Sequence, residues 1–174
     1  HLRTINDAWV VGGYATNPGQ ARVVPYVFPT EAMLGGLPVR RPTATHARAG
    51  QYCYDTMTLI GPGTWDAVEA AAGAALTAVD IVAQAAWVDR AVPDPAGPLV
   101  NLTDVPMAYA LCRPPGHHAA RDAFGGSCYL NNAAIAADSL RARGARRVAI
   151  LDIAAHHGNG TQAIFFHRPD VFYG

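Results

Sequence analysis

The stretch RVAILDIAAHHGNGTQAIFFHRPDVFYG, residues 147–174, decides the fold class. An apolar run over 147–153 predicts a buried strand, and a Gly-rich polar segment separates it from a helix-like segment over 162–166. A further strand is expected to begin at Val171. A strand, a helix and a second strand in this order are typical of a parallel α/β sheet with helices on both faces.

The same alternation of strands and helices extends upstream. A helix is predicted over 64–86 with Thr64 at its N-cap, because Ala, Val and Leu recur there at helical spacing. A second helix is predicted over 131–143, and Gly144 follows it at the position where helices commonly stop. The apolar run over 106–112 predicts another buried strand.

The remaining segments predict a short helix and two loops. Residues 1–10 are helix-like up to the break at Gly12-Gly13, and residues 91–104 carry prolines typical of a loop. Residues 14–49 are rich in Pro, Gly and Arg and contain the apolar stretch VVPYVFP at 23–29. A loop of that length in a compact domain is usually functional or part of an interface.

Charge and composition exclude several classes of protein. The chain has 174 residues, 51% of them hydrophobic, and its 13 basic side chains, all Arg, balance 13 acidic ones. A neutral chain lacks the basic excess expected of a nucleic-acid binder. No uninterrupted apolar stretch is long enough to span a membrane. Cys53, Cys112 and Cys128 are too few for a disulfide framework, so we expect small core residues.

The length suits one domain or part of one. Because the chain begins at His1 rather than Met, we expect an incomplete molecule whose missing N-terminus would hide any signal peptide. A reducing cytoplasm is the default expectation for such a chain.

Two histidine pairs follow two of the predicted strands. The first is His117-His118 in RPPGHHA, and the second is His156-His157 in DIAAHHGNG. In parallel sheets, ligand sites lie at the carboxyl ends of the strands. We therefore expect His117, His118 and His156 to form one site, whereas single histidines elsewhere are expected to be structural.

The residue types near these pairs restrict the chemistry. Imidazole can bind a metal, act as a general base or donate to an oxyanion, and Asp152 and Asn159 are available to orient the rings. Ser127 lies in GGSC, which lacks the GxSxG pattern of a nucleophilic serine. The chain has no lysine for a phosphate-binding loop. Metal-assisted hydrolysis is the reaction class that these residues favour.

Three segments resemble the zinc-dependent histone deacetylase family. They are RPPGHHA at 113–119, GSCYLNNAAIAA at 126–137 and ILDIAAHHGNGTQ at 150–162. Within that family the chain is most similar to bacterial acetylpolyamine amidohydrolases, through YVFP at 26–29, YDT at 54–56 and GTWDA at 63–67.

The resemblance implies a three-layer α/β/α arginase/deacetylase-like fold with a mainly parallel central sheet. Residues 1–174 would form a single partial deacetylase domain, without its N-terminal part and C-terminal half. It also implies catalytic roles. His117 would pair with Asp152, and His118 would pair with Asn159 and act as general base toward a zinc-bound water. A tyrosine that stabilises the oxyanion would lie downstream of Gly174.

The resemblance implies metals as well. His156 would be a zinc ligand. Asp152, with the carbonyls of Ala154 and His156, would form part of an inner potassium site. A second potassium site would use the carbonyls of Phe165, Arg168 and Val171.

Two positions depart from the family pattern. Ala154 stands where the family has an aspartate zinc ligand, and a methyl group cannot coordinate a cation. Ser127, expected with Gly126 beside the substrate, replaces an aromatic residue and would leave a wider, wetter tunnel. We therefore expect impaired activity, either in a binding protein that has lost catalysis or in an enzyme altered at Ala154.

The loop over 14–49 resembles the insertion through which acetylpolyamine amidohydrolases dimerise and narrow the active-site entrance. It implies a homodimer acting on a small acetylated amine, and Glu31 and Asp55 are candidate rim carboxylates or ordinary solvated or capping residues. Three functions stay open at this point: a zinc amidohydrolase, a metal-free binding protein for acylated amines, and an arginase-like manganese hydrolase. The third is disfavoured because its chemistry needs aspartates where Ala154 stands.

Overall fold

The computed structural model describes residues 1–15, 21–29, 34–86 and 106–174. The elements in chain order are α1 (Ile5–Val11), α2 (Thr45–Ala49), α3 (Thr64–Ala86), α4 (Asn132–Ala142), β1 (Val148–Ile150), α5 (Asn159–Phe165) and β2 (Val171–Tyr173). The predicted loop over 91–104 and the candidate rim residue Glu31 lie outside the described residues.

The strand–helix–strand order predicted for the C-terminal stretch is confirmed, although α5 begins at Asn159 rather than at residue 162 and β1 ends at Ile150 rather than at residue 153. Strands β1 and β2 pair in parallel, with Val148 opposite Val171 and Ile150 opposite Tyr173, and α5 lies between them in sequence. The pairing continues past the strand ends, where the Asp152 N–H donates to the Gly174 carbonyl at 2.8 Å. This ladder brings the residues that follow β1 alongside the end of β2.

The long helix α3 has the predicted bounds. Its buried positions are Val68, Ala71, Ala75, Val79 and Ala83, which recur every three or four residues and so form one face. Most are alanines, which let α4 pack closely against this face. The N-cap prediction for Thr64 is wrong. Thr64 is the first residue of α3, and its Oγ1 accepts the N–H of Gly61 at 2.9 Å.

Helix α4 begins and ends as predicted. The Asn131 side chain caps it by accepting the N–H of Ala134 at 3.0 Å, and Gly144 follows the helix with a φ of 102°. Asn131 is buried, and its amide group also donates to the Ala119 carbonyl and to Thr161 Oγ1. One cap residue therefore joins α4 to the histidine loop and to α5.

The predicted strand over 106–112 is absent. Residues 106–112 carry no strand assignment, and Tyr109 is 86% exposed. A strand needs neighbouring backbone groups for its N–H and C=O hydrogen bonds, and no segment within the described ranges supplies them. Ala108, Ala110 and Cys112 instead line a cavity of about 670 Å³ that reaches β1.

A cluster of buried hydrophobic residues is formed mainly by the N-terminal part of the chain. Ile5 and Trp9 of α1 pack there with Val23, Ile60 and Phe124. Val23 pairs with Ile60 through backbone hydrogen bonds of 2.8 and 3.3 Å, so the apolar stretch 23–29 is anchored in this core.

Other side chains of the stretch 23–29 are exposed, including Tyr26. Cys53 and Cys128 are buried, which confirms the prediction of core cysteines for these two, whereas Cys112 is half-buried; burial raises the pKa of the Cys53 and Cys128 thiols. Across the ranges that the structure describes, no helix combines the length and the hydropathy that crossing a bilayer requires.

Candidate active site

The first histidine pair lies in a loop that is fixed at both ends. The Ala119 N–H donates to the Gly116 carbonyl at 2.9 Å, which closes a turn around His117 and His118. The Thr161 N–H donates to the His117 carbonyl at 3.1 Å, which joins this turn to α5. The loop before α4 and the segment between β1 and α5 therefore meet at one place.

His117 faces Asp152. Its Nδ1 lies 2.8 Å from Asp152 Oδ2, and the two side chains are only 20% and 15% exposed. Asp152 also accepts the N–H of Ala154 at 3.1 Å and the hydroxyl of Tyr173 at 3.2 Å. Burial opposes the charged carboxylate, but hydrogen bonds from His117, Ala154 and Tyr173 outweigh it and lower the pKa of Asp152.

His118 faces Asn159. Its Nδ1 lies 2.7 Å from Asn159 Oδ1, and its ring centroid is 4.1 Å from that of His117. An amide oxygen can only accept, so Nδ1 of His118 carries a proton, and in the neutral ring Nε2 is the nitrogen with a lone pair. The hydroxyl of Tyr54 donates to the His118 carbonyl at 2.9 Å and fixes the backbone of this residue.

The turn at Gly126 and Ser127 lies against His118. A Cβ at Gly126 would lie 2.3 Å from His118 Cδ2, so only glycine permits this approach. Ser127 has a φ of 64°, an uncommon conformation for a residue with a side chain, and its N–H donates to Thr58 Oγ1 at 2.9 Å. The structure therefore places Gly126 and Ser127 beside the histidines, and contact with a substrate stays a prediction.

Asp55, a candidate rim residue, is held inside a turn. Its Oδ1 accepts the N–H groups of Met57 and Thr58 at 2.9 and 2.7 Å, and its Oδ2 accepts the Thr58 hydroxyl at 3.0 Å and the N–H of Gly126. Burial raises the pKa of this carboxyl, but the hydrogen bonds outweigh burial and the net shift is downward. Of the two interpretations, the structure favours the capping one.

The sequence analysis did not predict the hydrogen bond between Asp55 and Gly126. Only the turn around Asp55 has a local sequence signal, because an Asp three residues before a Thr is typical of a side-chain-capped turn. The partner Gly126 lies 71 residues further along the chain, and no local pattern points to it.

The residues present do not fit a catalytic zinc. Ala154 and His156 are both exposed, and the His156 ring centroid lies 6.2 Å from that of His118. Within residues 1–15, 21–29, 34–86 and 106–174, no three His, Cys, Asp or Glu side chains are grouped to hold a metal ion. Catalytic zinc sites use three protein ligands, and His156 is the single one expected here.

The three carbonyls expected at a second potassium site extend from Phe165, the last residue of α5, to Val171, the first residue of β2. The Phe165 carbonyl accepts the N–H of Arg168 at 2.8 Å, and the Arg168 carbonyl accepts the N–H of Val171 at 3.2 Å. Both carbonyls are therefore already used in the turn, although each keeps a second lone pair. This potassium site and the one at Asp152 stay predictions.

Tyr173 is a site residue that sequence reasoning did not single out. It was assigned only to the predicted strand over 171–174, where an aromatic residue needs no further explanation. The structure places its hydroxyl between the N–H of Gly158 and Asp152 Oδ2.

Comparisons with known proteins identify relatives of this chain. The histone deacetylase domain model matches residues 26–174. An acetylpolyamine amidohydrolase from Mycoplana ramosa is 40% identical over 177 residues, which cover 99% of this chain and 42% of that protein. An acetylpolyamine amidohydrolase from Burkholderia pseudomallei is 44% identical over 175 residues, covering 99% of this chain and 45% of that protein.

A solved structure also matches. The crystal structure of an acetylpolyamine aminohydrolase from Burkholderia pseudomallei superposes with a TM-score of 0.69 at 40% identity, covering 99% of this chain and 42% of that one. The chain thus spans less than half the length of the relatives that it matches. Because the domain model covers most of the chain and the relatives align along nearly all of it, the chain belongs to the histone deacetylase family.

Proposed function

We propose that this chain carries the histidine-bearing part of an amide hydrolase that removes acetyl groups from small acetylated amines of the acetylpolyamine class. The observation that carries the proposal is the convergence of two oriented imidazoles, His117 on Asp152 and His118 on Asn159, with ring centroids 4.1 Å apart. The names of the relatives supply the substrate class.

The two rings suit different proton-transfer steps. With Nδ1 of His118 donating to Asn159, its Nε2 is the atom that accepts a proton from the attacking water. His117 donates from Nδ1 to the carboxylate of Asp152, which fixes the orientation of that ring. His118 is therefore the proposed general base, and His117 the oriented imidazole beside it.

Ala154 limits this activity. The family resemblance implies a zinc ion that polarises the amide carbonyl, but the donor set described above does not fit one. We therefore propose that amide hydrolysis by the protein with Ala154 in place is weak or absent. The departure at Ala154 also supports a second candidate, a protein that binds acylated amines without hydrolysing them.

The test compares the full-length protein with its Ala154→Asp variant, measuring zinc content and release of acetate from an acetylated diamine. We expect Ala154→Asp to raise zinc content and hydrolysis, because it adds a carboxylate two residues from His156. Ala155→Asp is the matched control, since it adds the same charge at the next exposed position. Stoichiometric zinc and full activity with Ala154 in place would contradict the proposed impairment.

Binding separates the two candidate functions. Saturable binding of the acetylated diamine without acetate release, in both the chain and its Ala154→Asp variant, supports the binding protein. Acetate release by Ala154→Asp supports the hydrolase.

Several finer features are also proposals. They comprise the three-layer α/β/α arrangement around a larger parallel sheet, bound potassium, a homodimer formed through the loop 14–49, and a cytoplasmic location. The exposed Tyr26 within that loop supports the dimer, because exposed aromatic side chains are common at protein interfaces.

A further inference from the structure

Tyr173 lies at the end of β2, opposite Ile150 of β1. Its hydroxyl accepts the N–H of Gly158 at 3.0 Å and donates to Asp152 Oδ2 at 3.2 Å. The phenol oxygen therefore uses both its acceptor and its donor capacity between two segments that flank the histidines.

Each partner of Tyr173 leads to a different imidazole. Asp152 accepts from His117 through the same oxygen, Oδ2, that Tyr173 contacts. Gly158 directly precedes Asn159, the first residue of α5 and the acceptor for His118. Hydrogen bonds therefore connect the His117 ring to Asp152, Asp152 to the Tyr173 hydroxyl, and this hydroxyl to the N–H of Gly158. The peptide bond between Gly158 and Asn159 extends the connection to the His118 ring.

Packing around Gly158 leaves this arrangement little freedom. A Cβ at Gly158 would lie 2.4 Å from Asp152 Oδ2, 2.7 Å from the Tyr173 hydroxyl and 3.1 Å from His117 Cβ. The backbone at Gly158 is therefore pressed against the same groups that it helps to position. Without the hydroxyl, the buried N–H of Gly158 would lose its partner among the described residues, at a cost that favours a shift of the backbone.

We propose that Tyr173 is a positioning residue whose hydroxyl holds Asp152 and the start of α5 in register, and thereby sets the spacing of the two imidazoles. Its use in amide hydrolysis rests on the proposed function, whereas the coupling of the two rings does not.

The test is Tyr173→Phe in the full chain, which removes only the hydroxyl. Nuclear magnetic resonance of the 15N-labelled protein reports the Nδ1–H signals of His117 and His118, which persist only while each proton is held in its hydrogen bond. We expect both signals to be lost through faster exchange with water in Tyr173→Phe.

The matched control is Tyr129→Phe. Tyr129, which is half-buried, also donates a hydrogen bond from its hydroxyl to the Leu59 carbonyl, and burial raises the pKa of Tyr129 to about 12. We expect this variant to lower the melting temperature and to leave both ring signals in place. Retention of both signals in Tyr173→Phe, loss of one alone, or their loss in Tyr129→Phe would each overturn the proposal.

A kinetic comparison distinguishes this inference from the proposed function. In the Ala154→Asp background, Tyr173→Phe is expected to lower kcat roughly tenfold, the scale seen when a residue that orients an active-site ligand is removed, with KM little changed. An unchanged kcat would overturn the positioning role. If the Ala154→Asp protein releases no acetate, the proposed function fails and the ring signals alone decide the role of Tyr173.

Discussion

At the residue scale, the site depends on side chains whose polar atoms are nearly all engaged. Asp152 accepts three N–H or O–H hydrogen bonds, and Asp55 accepts four together with a contact from the Cys53 thiol at 4.0 Å. The identity of the histidines and of their orienting partners could be predicted, because pairs at strand ends and nearby Asp or Asn side chains are visible in the sequence. The contacts of Asp55 with Gly126 and of Tyr173 with Asp152 could not be predicted, because they join residues that are distant in the chain.

Asp55 gives a prediction about stability and pH. Asp55→Asn keeps one carbonyl oxygen but places an amide group where the carboxylate accepts from Thr58 and Gly126, so we expect a loss of about 1–3 kcal/mol in the free energy of unfolding. Because the pKa of Asp55 is lower in the folded state, this stabilisation is present above the unfolded pKa of about 3.9 and is lost as the pH falls through the folded value.

Chemical denaturation at several pH values measures the effect. The stability difference between the parent chain and Asp55→Asn should shrink as the pH is lowered below about 4. Asp66→Asn, at an exposed position in the first turn of α3, serves as the control and should change stability little at any pH. A gap that stays constant down to pH 2 would show that the Asp55 charge is not responsible.

At the element scale, helix boundaries followed from the sequence, whereas strands depended on their partners. The spacing of apolar residues and the flanking residues gave α3 and α4 closely, because helices satisfy their own backbone hydrogen bonds. The apolar run over 106–112 predicts a strand as strongly as the run over 147–153 does, yet it forms no strand in the described residues. Strand formation requires a neighbour, which the sequence of the strand itself does not specify.

Asn131 provides a prediction at this scale, because it both caps α4 and bridges to neighbouring segments. Asn131→Ala should lose about 1 kcal/mol for the cap and about 1–3 kcal/mol more for the buried groups at Ala119 and Thr161 left without their partner. Asn131→Ser keeps a capping oxygen but is too short for the bridge, so it should be about 1 kcal/mol more stable than Asn131→Ala. Equal stability of the two variants in urea denaturation would show that capping contributes nothing.

At the scale of the whole molecule, several apolar side chains at the edge of the cavity of about 670 Å³ are exposed. Leu151 and Ile153 border the cavity lined by Ala108 and Ala110, and Ile153 is 99% exposed. Neighbouring Tyr109 is also exposed. Apolar surface of this kind promotes association in water.

We therefore expect the chain to self-associate through this face when expressed alone. Ile153→Ser should reduce the association measured by analytical ultracentrifugation, with little loss of folding stability because the side chain makes few contacts. Val11→Ser, at an 88% exposed position at the end of α1, is the matched control and should leave association unchanged. An equal effect of both variants would indicate general hydrophobicity rather than this face.

The sequence by itself determined the strand–helix–strand order of residues 147–174, the two histidine pairs, the family resemblance and the alanine at position 154. These features are local: they depend on periodicity, caps and short motifs. Only the tertiary structure decided which residues meet. His117 and Asp152 are 35 residues apart in the chain, and Asp55 and Gly126 are 71 apart. Such contacts form because the packed elements bring distant backbone segments together, and burial there favours full pairing of their polar groups.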